Sequence, residues 1–209
     1  MIKTLPPLAT VLDPTTTAVM VVDVQNDFCD PREFPAAESM IPRLRALLSE
    51  MRGAGYPVVY TRAVHSEHTD SAVWRSRYST RPHRSQTCRE GTLGAEFHPE
   101  IAPEPGDAVV TKHRYNAFLR TNLELILRSK GIESIVFTGI ATNVCVSTTA
   151  REAFCRDYWT TLVSDCMIAH SEAAHLQALE DARSGFGRVV TSEEVRAASS
   201  RLTAKHPSF

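Results

Sequence analysis

Six short β-branched and apolar runs constrain this chain more than any other feature, because each is separated from the next by a helical pattern or a long irregular stretch. The runs occupy 18–23, 57–62, 107–112, 134–139, 159–164 and 187–191, with helical patterns at about 38–53, 120–130, 143–156 and 171–185. Nearly continuous apolar runs, rather than strictly alternating ones, are what strands covered on both faces require. Parallel strands joined by right-handed helical crossovers meet that requirement. The punctuation agrees: Gly53 and Gly55 precede the second run and Gly131 precedes the fourth, where left-handed helix caps are expected. Ser171 and Ser192 are good N-cap candidates for two later helices. The expectation is an α/β fold: a single-domain, Rossmann-like three-layer sandwich with a six-stranded, mostly parallel sheet, spanning 1–209 and ending in a frayed tail at 204–209.

A chain of 209 residues that is 43% hydrophobic can bury one sizeable core. Formal net charge is −1 and no lysine or arginine run dominates, so a nucleic-acid partner is not expected. No apolar stretch approaches the roughly 20 residues of a membrane span, and Met1 to Pro7 has no signal-peptide core, which points to a cytoplasmic protein without a membrane partner. Five cysteines with no Cys-x-x-Cys pair argue against a disulfide framework or zinc ribbon. Cys29, Cys88, Cys155 and Cys166 read as structural. Neither a dinucleotide-binding nor a P-loop glycine motif follows any strand, so no cofactor is expected.

Chemistry concentrates at the carboxyl ends of three runs, which is where open α/β sheets bind ligands. Ala18-Val19-Met20-Val21-Val22 delivers Asp23, Ala108-Val109-Val110-Thr111 delivers Lys112, and Ser134 to Gly139 leads through Ile140-Ala141-Thr142-Asn143-Val144 to Cys145. An acid, a cation and a thiol converging at one rim form a plausible catalytic set: the carboxylate takes the thiol proton and returns it to a leaving group. With a helix expected from Asn143, unpaired N–H groups and the helix dipole should favour a Cys145 thiolate.

These motifs resemble those of the isochorismatase-like cysteine hydrolase superfamily. The matching pieces are Val21-Val22-Asp23-Val24-Gln25-Asn26-Asp27-Phe28, Pro57 to Arg62, the segment opening at Lys112, and Gly139 to Ala150, in order from about Thr17 to Val195. The resemblance implies an Asp23, Lys112, Cys145 triad that hydrolyses amide-type C–N bonds through an acyl-enzyme. It also implies a cis peptide joining Ile140 to Ala141, an oxyanion hole from the backbone N–H groups of Ala141 and Cys145, pocket-lining roles for Phe28, Asn116 and Phe118, with core packing as the alternative for Phe118, and a homodimer or homotetramer. The stretch from Leu127 to Val146 is most similar to ureidoacrylate, biuret and N-carbamoylsarcosine hydrolases, which implies a small ureido, carbamoyl or amide substrate.

Two alternatives remain at this stage. One is a metal-assisted, nicotinamidase-like amidase, for which His65-Ser66-Glu67-His68-Thr69-Asp70 is the best ligand cluster. In nicotinamidases of the superfamily an Asp-x-His element binds the metal, but here Ala63 stands at the aspartate position, so no metal is expected. The other is a non-catalytic member that binds a ligand in the same pocket. The segment 63–105 breaks the strand and helix grammar, and its Trp74-Arg75-Ser76-Arg77-Tyr78 and Thr80-Arg81-Pro82-His83-Arg84 pieces are basic and aromatic. Such an insertion suits an anionic or ureido group or a subunit contact.

Overall fold

A computed structural model describes residues 5–203. Six strands, β1 (Thr17–Val22), β2 (Val58–Ala63), β3 (Ala108–Lys112), β4 (Ser134–Ile140), β5 (Trp159–Ile168) and β6 (Arg188–Val190), form one sheet in the order β3-β2-β1-β4-β5-β6. Every neighbouring pair is parallel. Helices α1 (Ala37–Gly53) and α6 (Ser192–Thr203) cover one face. There Leu44, Leu47, Leu48, Met51 and Val195 pack on Val19 and Val21. On the other face lie α3 (Leu123–Ser129), α4 (Ser147–Cys155) and α5 (Glu172–Gly185), whose Leu123, Leu127, Ala150, Ala153 and Leu179 meet Ala18, Met20 and Val22. Alternate residues of β1 thus feed opposite cores, which is why the strand is apolar from Ala18 to Val22.

The expected architecture holds, with differences at its margins. β3 is an edge strand with Val109 turned outward, so only part of that run is buried. β5 continues to Ile168, past the expected end at 164, and its register with β4 shifts between Phe137 and Gly139. Gly139 has φ +108°, and a Cβ there would lie 2.1 Å from the Val22 carbonyl oxygen. Only glycine lets β4 approach β1 that closely. The helix expected from Asn143 begins instead as a wide π-turn, Thr142–Val146, in which Val146 N–H donates to Ala141 O at 3.2 Å; regular α-helix starts at Ser147. The final helix runs for 12 residues. The tail at 204–209 lies outside the described residues.

The insertion after β2 holds the short helix α2 (Ala72–Ser76) and several 3-10 turns, and folds back over the sheet rim. Buried Gln25 ties it down: its side-chain amide donates to Ala63 O at 2.8 Å and Ala95 O at 2.7 Å, while its carbonyl accepts from Ala63 N–H at 2.7 Å.

Candidate active site

The chain leaves β1 at Asp23, β3 at Lys112 and β4 just before Cys145, and the strand order reverses direction between β1 and β4. The crevice outside that reversal is where a ligand is expected. All three side chains meet there. Lys112 Nζ lies 2.6 Å from Asp23 Oδ2, 3.4 Å from Cys145 Sγ and 3.0 Å from Arg114 O, so each ammonium proton has a destination. Asp23 has φ +51°, and its Oδ1 accepts from Thr61 Oγ1 at 2.7 Å. Its Oδ2 receives no well-angled hydrogen bond, so the Lys112 contact is ionic and leaves lone-pair capacity on that oxygen. Asp23 and Lys112 are fully buried and Cys145 is 8% exposed.

Burial sets the protonation states. It pushes the Cys145 thiol up to about 12; the Lys112 ammonium pulls the other way and the Asp23 carboxylate adds to the rise. Burial alone would pull Lys112 down, but Asp23 and Cys145 outweigh it and hold the amine above its ordinary value. The resting site is therefore a protonated thiol beside an ammonium and carboxylate pair, not the thiolate that a helix start suggested. The peptide bond between Ile140 and Ala141 is cis.

A cavity of about 430 Å³ opens above Cys145 and Lys112, roomy enough for a small molecule. Phe28 lines it, as expected, but Asn116 and Phe118 do not. After Tyr115 the chain turns under the sheet: Phe118 packs in the α3 and α4 core, 6.1 Å between ring centroids from Tyr158, and Asn116 Oδ1 accepts the Phe118 N–H at 2.8 Å. Tyr115 and Arg114 take the wall instead.

His65 does not stand as a free metal ligand. Its Nε2 is 3.1 Å from Arg77 Nη2, and its Nδ1 is 3.3 Å from Asp70 Oδ1 and 3.4 Å from Trp74 Nε1. Among the described residues no group of three or more His, Cys, Asp or Glu is arranged to hold a metal ion. His170 and Arg84, which the sequence reading did not single out as a pair, also face the cavity. His170 follows the carboxyl end of β5, so placing that strand's end at 164 rather than Ile168 hid it.

The isochorismatase domain family matches residues 17–194. The chain belongs to the isochorismatase family. It is 31% identical to a ureidoacrylate amidohydrolase, RutB, of Caulobacter segnis, over 93% of this chain and 90% of that protein. Its fold superposes on a cysteine hydrolase from Pseudomonas syringae pv. phaseolicola 1448A with a TM-score of 0.86 and 28% identity, covering 96% of this chain and 99% of the other. N-carbamoylsarcosine amidase from Thermoplasma acidophilum is also similar, with a TM-score of 0.73 and 30% identity over 85% of this chain and 97% of that one. The family match runs from the first residue of β1 past the end of β6.

Proposed function

We propose that this family member is a cysteine amidohydrolase that cleaves a C–N bond of a small ureido, N-carbamoyl or amide compound without a metal. The observation that carries the reading is that Lys112, which with Cys145 lines the floor of one cavity, contacts both the Cys145 thiol and the Asp23 carboxylate buried beneath. Its relatives named as ureidoacrylate amidohydrolase and N-carbamoylsarcosine amidase support the substrate class.

In the proposed cycle, Asp23 takes the thiol proton as Sγ attacks the substrate carbonyl carbon. The backbone N–H groups of Ala141 and Cys145 receive the oxyanion of the tetrahedral adduct. Asp23 then passes its proton to the leaving nitrogen as the C–N bond breaks, which leaves a thioester on Cys145. Water attacks that thioester, Asp23 accepts the water proton, and collapse returns the proton to sulfur. Lys112 stays charged throughout, holds Asp23 in place and offsets negative charge while it resides on sulfur. Because the resting thiol is protonated, deprotonation accompanies substrate attack. The mechanism therefore needs a base in contact with sulfur, a part that Asp23 can fill.

The same reading includes a reducing, cytoplasmic setting, consistent with five free cysteines, and a homodimer or homotetramer to be checked by light scattering. Replacing Cys145 with alanine should lower ammonia release from the active ureido, carbamoyl or amide compound by about 10³-fold or more, with the circular dichroism spectrum unchanged. Full turnover by that variant would remove Cys145 from the chemistry.

A further inference from the structure

Thr142 opens the turn that carries Cys145, and its side chain is held from outside that turn. Thr142 Oγ1 lies 2.8 Å from Nδ1 of His175, which stands on the first turn of α5. Thr142 is fully buried, so its hydroxyl has no water to fall back on if that partner is lost. The helix side of the contact is itself fixed: Ser171 Oγ accepts from Ala174 N–H at 3.3 Å, and Ser171 O accepts from His175 N–H at 3.0 Å. Burial holds the His175 imidazole below its ordinary value against the opposing pull of Glu172, so the ring is neutral at pH 7. A hydroxyl can donate to Nδ1 or accept from it, and either neutral tautomer therefore keeps the bond.

The contact bears on the register of the turn. Val146 N–H donates to Ala141 O and Ser147 N–H to Thr142 O, each across five residues where an α-helix spans four. Regular helix α4 follows at once, so the competing arrangement is the same helix wound back through the turn in α register. Such a slip by one residue rotates side chains by roughly 100° about the helix axis, enough to carry Cys145 Sγ away from Lys112 Nζ. Apolar packing does not prevent it. Cys145 and Val146 share a core with Leu179 and Ala182 of α5, and contacts of that kind have no preferred direction. A hydrogen bond between two placed atoms does, and the bond from His175 grips the first residue of the turn. Neither Thr142 nor His175 lines the cavity.

Resting on the reading of Cys145 as nucleophile, we infer that His175 is a positioning residue: by bonding Thr142 it pins the turn in its wide register, which holds Sγ against Lys112 and aims the Ala141 and Cys145 N–H groups at the reacting carbonyl. Misplacing a nucleophile by a fraction of its reach slows the chemical step steeply. The cavity wall is untouched by the loss of His175, so the grip on substrate stays while the rate falls.

Two measurements test this, one of them without turnover. A thiol adds reversibly to acetaldehyde: Sγ bonds to the carbonyl carbon and the thiol proton passes to oxygen, giving a hemithioacetal shaped like the tetrahedral adduct. Its affinity is read by NMR with isotopically labelled acetaldehyde, and Cys145→Ala serves as the blank. His175→Leu and Thr142→Val should each weaken the adduct about tenfold or more, and the double variant no further than either alone, since both remove one bond. His175→Asn, whose amide stands where Nδ1 stood, should recover affinity to within about threefold of the wild type. In ammonia release from ureidoacrylate, kcat should follow the same order across the variants while KM stays within about twofold. Thr142→Val, which keeps the shape of the side chain, decides alone if His175→Leu does not fold. Undiminished adduct affinity, additive losses in the double variant, no rescue by His175→Asn, a loss confined to KM, or no adduct in the wild type would overturn the inference. An adduct that depends on His175 in a chain that releases no ammonia from ureidoacrylate, N-carbamoylsarcosine or biuret would instead count against the amidohydrolase reading and leave this one standing.

Discussion

Cys145 illustrates how magnitude decides between two effects on one side chain. A helix start offers a thiolate about 1 kcal/mol at best, whereas burying an anion costs several. Cys145 sits in a π-turn among buried groups, so desolvation wins and the thiol stays protonated despite Lys112 at 3.4 Å. The sequence pointed to this thiol but not to its burial, because exposure is not encoded in spacing along the chain. Iodoacetamide at pH 7.5 should modify exposed Cys155 before Cys145, followed by peptide mass spectrometry. Faster labelling of Cys145 would show that its thiolate already exists in the resting protein. Phe118 gives the complementary lesson: its place near Lys112 in sequence suggested a pocket wall, but a turn after Tyr115 carries it beneath the sheet.

Strands β1, β2 and β4 were legible because burial on both faces leaves a dense apolar signature. β5 was not delimited, since Ser164 and Asp165 interrupt its apolar run while its backbone continues pairing to Ile168. The insertion between β2 and β3 has no period to read, because its order comes from long-range contacts rather than from repeating local ones. Gln25 supplies three of those contacts from the end of β1. Gln25→Leu would strand the Ala63 N–H and the Ala63 and Ala95 carbonyls in a buried setting. The expected loss is about 3–5 kcal/mol in urea unfolding, together with a raised KM as the arginine-bearing wall loosens. A loss below about 1 kcal/mol would mean that water replaces the amide and that the insertion is anchored elsewhere.

Across the domain, thiols make stability fall on the alkaline side. Burial pushes Cys29, Cys145 and Cys166 up to about 12 and raises Cys88 as well, against an ordinary thiol value of 9.0. In the unfolded chain these groups ionise near 9, while in the native protein they keep their protons. Between those limits the unfolded state binds fewer protons, so stability is complete below about pH 9 and declines as pH rises toward 12. Thermal melts should show a nearly constant Tm from pH 7 to about 8.5 and a steepening fall above about 9. A flat Tm through pH 10.5 would show that these thiols are not desolvated in the native state.

Local periodicity and the residues at strand ends were enough to specify the α/β class, the parallel sheet, the family resemblance and the positions of Asp23, Lys112 and Cys145, since each of these is written within a few neighbouring residues. The charge state of the thiol, the exclusion of Phe118, the pairing of His65 with Arg77 and of His170 with Arg84, and the anchoring by Gln25 were decided only when the chain closed on itself. These properties depend on desolvation and on contacts between segments tens of residues apart, and neither quantity has a signature in local sequence.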